Sequence, residues 1–241
     1  MFGLGDVEGR VVLARHGEST FNRAGRFTGW ENPPLTALGA TQARTLGEAL
    51  GRAHVYVDHV FTSDLIRTTD SANIILRAAG RSCVPVMLTS LRERDYGLLT
   101  GLEKDAAVAE WGAAQVQSWR RSYDVAPPGG ESLRDVTARV AAAWLHHALP
   151  AALQGGTVLV ASHGNTLRAL VGLLEGMSPP EIERLEISPG EVRLYAVEKT
   201  VRLRRLAIQD RRIIDVGAER ERAGELAAME AELRVEHGAG S

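Results

Sequence analysis

The chain has 241 residues, 44% of them hydrophobic and 24% charged, with a formal net charge of −2. That composition suits one compact domain with at most a tail, and it offers no charge excess to draw nucleic acid or an anionic membrane. Cys83 is the only cysteine, so no disulfide within the chain and no thiolate cluster for zinc or iron is expected. The first ten residues carry no secretory pattern, and no apolar run approaches the ~18 residues of a membrane span, so a cytoplasmic protein is the expectation.

Short apolar runs alternate with helical patterns, which is the signature of an α/β layer fold. Residues 11–14, VVLA, read as a buried strand that stops at Arg15-His16-Gly17. The following LTALGATQARTLGEALGRA offers Thr36 as a helix cap and puts Ala43, Leu46, Leu50 and Ala53 on one face. DHVFTS is a second strand ending near Ser63, and residues 65–79 form a helix with Ala72, Ile75, Leu76 and Ala79 facing inward. Residues 84–88 make a short third strand. From about Arg92 to Gly130 strand signals vanish, and long connections of this kind in compact domains commonly serve a site.

A helix restarts at Ser132, which forms a capping pair with Asp135, and Leu133, Val136, Val140 and Ala143 share its face. Gly155-Gly156 turn the chain into a strand at 158–161; residues 165–174 are helical, and 192–197 with 201–208 pair as outer strands. The stretch 217–241 shifts to Ala, Glu and Arg and reads as a helical or mobile tail, leaving 1–216 as the domain.

The strand at 158–161 ends in His163-Gly164 much as the first ends in His16-Gly17. Each apolar run delivers an imidazole to a C-terminal strand end, where α/β sheets bind ligands, and glycine there permits close backbone approach. If the two strands are neighbours, the imidazoles share one site. A satisfied loop histidine is the bland reading of either alone, and the repeat weighs against it. No metal is expected, because neither H-x-x-x-H nor H-E-x-x-H occurs and His146-His147 point to different faces of a helix pattern. Phosphoryl chemistry explains the neighbours better. A neutral imidazole attacks phosphorus, while Arg15 and the donors of Gly17, Ser19 and Thr20 neutralise its equatorial oxygens.

RHGES with SHGN is the signature of the histidine phosphatase superfamily. RHGESTFNRAGRFTGW, ERDYG, TGLEK, WRRSYD, PPGGESL and SHGNTLRAL, in that order, resemble the cofactor-dependent phosphoglycerate mutases within it. The resemblance runs from Arg15 to about Leu170, weakens towards Val197 and fails in the tail. It implies a three-layer α/β/α domain around a mostly parallel sheet. His16 would be the residue phosphorylated in turnover, with Arg15, Arg67 and His163 around the transferring group and Asn22, Gly164 and Asn165 nearby. Glu93 would exchange a proton with the substrate hydroxyl, and Thr28, Gly29, Tyr96, Lys104, Arg120 and Arg121 would hold the rest of the substrate. Ser19 joins them as a hydroxyl donor. The implied cofactor is 2,3-bisphosphoglycerate as primer, without a metal.

Charge supports that division. A bisphosphoglycerate carries about −4 to −5, and Arg15, Arg67, Lys104, Arg120 and Arg121 face it with five positive charges. A glutamate shielded from water beside phosphates holds its proton more readily, as proton exchange at a hydroxyl requires. The chain departs from the family in lacking an insert between Pro128 and Glu131, in Phe21 where tryptophan is common, and in its longer tail. The tail bears on water exclusion, which decides whether phosphohistidine passes its group to a sugar acid or to water. The leading reading is interconversion of 3- and 2-phosphoglycerate. A phosphatase using the same residues is the alternative, and a non-catalytic phosphometabolite sensor is a third. The partners expected are small anionic phosphometabolites, with neither nucleic acid nor membrane; homo-oligomerisation is left open.

Overall fold

The computed structural model describes residues 7–198 and 208–214. Its strands are β1 (Val7–Arg15), β2 (His59–Thr62), β3 (Val86–Met87), β4 (Thr157–Ser162), β5 (Val192–Glu198) and β6 (Ile208–Ile214). Helices α1 (Thr20–Arg23), α2 (Ala37–Arg52) and α3 (Ile66–Ala78) come first, and α4 (Lys104–Trp111) and α5 (Ala113–Arg121) follow β3. The rest are α6 (Leu133–Ala143), α7 (Leu149–Leu153), α8 (Gly164–Glu175) and α9 (Pro179–Arg184). The sheet order is β3-β2-β4-β1-β5-β6. β3, β2, β4 and β1 pair in parallel, while β5 joins β1, and β6 joins β5, antiparallel.

Alternation along the buried strands builds the layers, because successive side chains point to opposite faces. Val11 and Leu13 of β1, with Val158 and Val160 of β4, pack into one core with side chains of α6, α7, α8 and α9. Val12 and Ala14, with Leu159 and Ala161, pack into the other with α2 and α3. The expected α/β/α sandwich and the first helices follow the apolar pattern closely. Thr36 Oγ1 accepts the Gly39 N–H, and Ser132 and Asp135 form a capping box at α6.

Several expectations change. The strand foreseen at 84–88 shrinks to β3 at the sheet edge, where Val84 is 87% exposed and unable to share a core. The connection after Arg92 is substantially helical. Its α4 and α5, of 8 and 9 residues, are too short for a clear period, yet they enclose a separate core of Phe27, Leu99, Ala107 and Val116. His146-His147 lie in a π-helical turn, Trp144–Ala148, rather than in a regular helix. Of the second outer strand, the described part is β6 from Ile208 to Ile214; the expectation for 201–207 and for the tail 217–241 falls outside the described residues.

The turn after β1 depends on two glycines in backbone contact. A Cβ on Gly17 would lie 2.1 Å from the Gly39 carbonyl oxygen, and one on Gly39 would lie 2.1 Å from that of Glu18. Overpacking of this kind costs about 1–3 kcal/mol. Gly39→Ala is therefore expected to lower stability by that amount in equilibrium urea unfolding, and an unchanged midpoint would refute the contact.

Candidate active site

β1 and β4 are adjacent and in register, with Ala14 opposite Ala161 and Arg15 opposite Ser162. The next residues out of both strands are therefore brought face to face. The His16 and His163 rings are 5.1 Å apart at an interplanar angle of 67°, and both are buried. His16 Nδ1 is 2.6 Å from the Gly17 carbonyl oxygen. A carbonyl only accepts, so Nδ1–H donates and the neutral ring keeps its lone pair on Nε2. His163 meets Ser63 Oγ through Nε2 at 2.8 Å, and its Nδ1 is buried without a partner among the described residues.

Burial, then the Arg67 and Arg15 guanidiniums, hold His16 well below the ordinary imidazole value against the opposing Gly17 bond. Burial, Arg67, His16 and Arg15 do the same to His163. Both rings are neutral in the fold, whereas the unfolded chain protonates them near pH 6.5. Below that pH the unfolded state binds more protons, so this stability is present above about 6.5 and is lost as pH falls. Urea midpoints should drop between pH 7.5 and 5.5, and the His16→Asn/His163→Asn double variant should drop less. An equal drop would mean that carboxylates alone carry the acid sensitivity.

Cations surround the pair. Arg67, in the first turn of α3, is fully buried and donates to the Glu31 and Gly29 carbonyls at 2.7 and 3.0 Å. Burial, with Arg15 nearby, pulls its pKa down to about 10, and Glu93 opposes the shift. Arg15 donates to the Ile187 carbonyl at 2.5 Å, and its guanidinium lies beside Gly164. Among the described residues, buried polar atoms without partners include Arg15 Nε, Arg67 Nε and His163 Nδ1, and such orphans are costly unless a ligand meets them.

Glu93 is 8% exposed, which removes the reading of it as a surface residue. Its Oε1 accepts the Arg94 N–H at 2.8 Å and the Asn165 N–H, at the start of α8, at 3.2 Å. Among the described residues, Oε2 has only a 3.5 Å contact to that same Asn165 nitrogen. The Glu93 carbonyl is gripped by Trp30 Nε1 at 2.8 Å and by Arg139 Nη2 at 3.0 Å. Arg139 also binds the Ser90 and Arg92 carbonyls and both oxygens of Glu131, so one guanidinium fixes the whole approach to Glu93.

A cavity of about 200 Å³ opens beside these groups. Arg15, Asn22, Thr28, Glu93, Tyr96, Lys104, Arg120, Arg121, Gly164 and Asn165 line it, all of them expected from the sequence. Lys104 is half-buried, and burial with Arg120 and Arg15 nearby lowers its pKa. His16, His163, Arg67, Ser19 and Gly29 stand behind the residues that line the cavity. Ser19 caps α1 by accepting the Asn22 N–H, and its own N–H holds Asn22 Oδ1, which leaves the donor end of that amide for the cavity. Gly29 contributes its carbonyl to Arg67.

Sequence reasoning passed over Arg26, Arg168 and Glu186, which also line the cavity. Arg168 is 4% exposed; it holds Asn165 Oδ1 at 2.9 Å and the carbonyls of Ile182 and Glu183. Asn165 Nδ2 then donates to Tyr96 Oη at 3.0 Å. Glu186 pairs with Arg121. A lone arginine in a helix reads as a solvated residue, and nothing local to Arg168 says otherwise.

A family model described as histidine phosphatase superfamily (branch 1) matches residues 11–207. A Methylobacterium radiotolerans protein named 2,3-bisphosphoglycerate-dependent phosphoglycerate mutase is 44% identical over 214 residues, covering 88% of this chain and 100% of that protein. One of the same name from Xanthobacter autotrophicus is 47% identical over 194 residues, covering 79% and 94%. Among solved structures, a mycobacterial glucosyl-3-phosphoglycerate phosphatase complexed with VO3 aligns with a TM-score of 0.69 at 27% identity, covering 86% of this chain and 97% of that one. A structure called mycobacterial hydrolase 1 aligns at 0.73, with 27% identity and coverages of 86% and 97%. By sequence along most of its length and by fold, the chain belongs to the histidine phosphatase superfamily, in its family of 2,3-bisphosphoglycerate-dependent phosphoglycerate mutases.

Proposed function

We propose that this chain interconverts 3-phosphoglycerate and 2-phosphoglycerate, with His16 as the group phosphorylated during turnover. The observation that carries this reading is the buried His16–His163 pair, 5.1 Å apart, beside a cavity lined with arginine and lysine. Neutral His16 with its lone pair on Nε2 needs no deprotonation before it attacks phosphorus. As the Nε2–P bond forms, the ester oxygen departs and takes a proton from Glu93 Oε2. In the return transfer the acceptor hydroxyl gives its proton to that oxygen while it attacks the phosphohistidine. Two N–H donors on Oε1 hold the carboxyl still and leave Oε2 for this exchange.

Arg15, Arg67 and His163 stabilise the equatorial oxygens, whose charge the site meets with fixed donors instead of water. Lys104, Arg120 and Arg121, with Thr28, Tyr96 and Asn22, hold the carboxylate and the remainder of the substrate. The orphaned atoms of Arg15, Arg67 and His163 fit one phosphoryl group of 2,3-bisphosphoglycerate, and the three outer cations fit its other two anions. When bound, 2,3-bisphosphoglycerate supplies the phosphoryl group that primes His16.

The likeness to a solved phosphatase favours a second reading, in which water is the final acceptor. Product analysis separates them. Incubated with 3-phosphoglycerate, trace 2,3-bisphosphoglycerate and EDTA, the protein is expected to form 2-phosphoglycerate. Free phosphate without 2-phosphoglycerate would replace the mutase reading with hydrolysis.

A further inference from the structure

Behind His163 lies a pair of hydroxyls that the chemistry above does not use. Ser63, just beyond the end of β2, and Thr68, in α3, are both 0% exposed. Ser63 Oγ is 2.8 Å from His163 Nε2, 2.8 Å from Thr68 Oγ1, and accepts the Leu65 N–H at 3.2 Å. Thr68 Oγ1 also lies 2.8 Å from the Leu65 carbonyl oxygen and 3.2 Å from that of Ser63.

Because Ser63 Oγ already accepts the Leu65 N–H, the three hydrogens, one on each hydroxyl and one on the neutral ring, can fill both the ring–Ser63 and the Ser63–Thr68 contacts in two ways. In the first, Thr68 donates to a carbonyl, Ser63 donates to Thr68, and the ring donates from Nε2, so Nδ1 carries a lone pair. In the second, Thr68 donates to Ser63, Ser63 donates to Nε2, and the ring hydrogen sits on Nδ1. The second order gives up the Thr68 hydroxyl bond to the Leu65 carbonyl, which still accepts the Thr68 N–H at 2.9 Å and the Thr69 N–H at 3.3 Å. It also makes the orphaned Nδ1 a donor. A buried lone pair set against an anion would be repulsive where water cannot screen it. Burial and the surrounding cations keep the ring neutral, so its tautomer decides what Nδ1 offers.

We propose that Ser63, backed by Thr68, is a positioning residue that donates to His163 Nε2 and thereby fixes the Nδ1–H tautomer, making Nδ1 a donor to a phosphoryl oxygen. The inference deepens the proposed function and rests on its placing of the phosphoryl group between the two imidazoles. It also gives the TSDLIRT turn two tasks at once. Arg67 supplies a guanidinium to the site, and the hydroxyls on either side of it in the chain set the imidazole that faces the same group.

The test reads the ring directly. Protein labelled with ¹⁵N in its histidine rings and saturated with orthovanadate should show His163 protonated at Nδ1 and bare at Nε2, with the signal assigned by its loss in His163→Gln. Protonation at Nε2 alone, or at both nitrogens, overturns the proposal. Ser63→Ala is expected to lower kcat about 10- to 100-fold, the scale of one lost buried hydrogen bond, with KM little changed. Ser63→Thr, which keeps the hydroxyl, should recover most of the rate. An unaltered kcat in a Ser63→Ala protein that melts normally would also overturn it. If the ring reads as expected but no phosphohistidine forms, the assignment of Ser63 stands and the proposed role of His16 fails.

Discussion

His16→Ala is expected to abolish acid-labile phosphate labelling from ³²P-2,3-bisphosphoglycerate and to lower kcat by on the order of 10⁴-fold or more, as losses of a nucleophile do. Two features of the site set this size. Nε2 is the lone pair left available by the Nδ1–H bond to Gly17, and His163 is tied through its own Nε2 to Ser63. His163 is therefore not free to take over the attack. The variant should nevertheless still bind anions, since Arg15, Lys104, Arg120 and Arg121 line the cavity independently of the imidazole. Substrate affinity measured by calorimetry should change far less than turnover. Persistent labelling in the variant would place the nucleophile elsewhere and remove the basis of the mechanism.

Glu93→Gln is expected to lower kcat by about 10²–10⁴-fold, the usual contribution of a positioned acid–base group, while KM moves little. The amide is close to isosteric, and its carbonyl oxygen can still accept the Arg94 and Asn165 N–H groups now bound to Oε1. Trp30 and Arg139 hold the Glu93 peptide through its carbonyl, a contact the substitution does not touch. The fold and the cavity wall should therefore survive, and only proton exchange at the former Oε2 is lost. A rate within a few-fold of the parent protein would make Glu93 a structural acceptor for the start of α8 and nothing more.

How far the site could be read in advance varied from residue to residue. Local order sufficed where chemistry and strand end coincide. The runs before His16 and His163 are apolar enough to be buried strands, and imidazoles at the ends of parallel neighbours meet whatever the intervening chain does. Thr36 and Ser132 were equally legible, because a cap acts on the turn that immediately follows it. Ser19 shows the limit of the same logic. A hydroxyl three residues after a key histidine reads as a phosphate donor; its oxygen also caps α1 by accepting the Asn22 N–H, and Asn22, expected with it, lines the cavity. The helices α4 and α5 escaped notice because neither is long enough to repeat its apolar face.

Residue chemistry along the chain, with its alternating burial, was enough to specify an α/β layer fold, an imidazole at the end of each of two strands and the anionic character of whatever they bind; that the two strands are neighbours came only with the fold. Three-dimensional packing settled which polar groups serve each other across large separations. Ser63 reaches His163 across 100 positions, Arg139 reaches the Glu93 carbonyl across 46, and the Asn165 N–H reaches Glu93 across 72. Propensity and periodicity are properties of neighbours in sequence. A buried hydrogen bond between distant residues depends on the closing of the whole sheet and its helices, and leaves no local trace in the order of the amino acids.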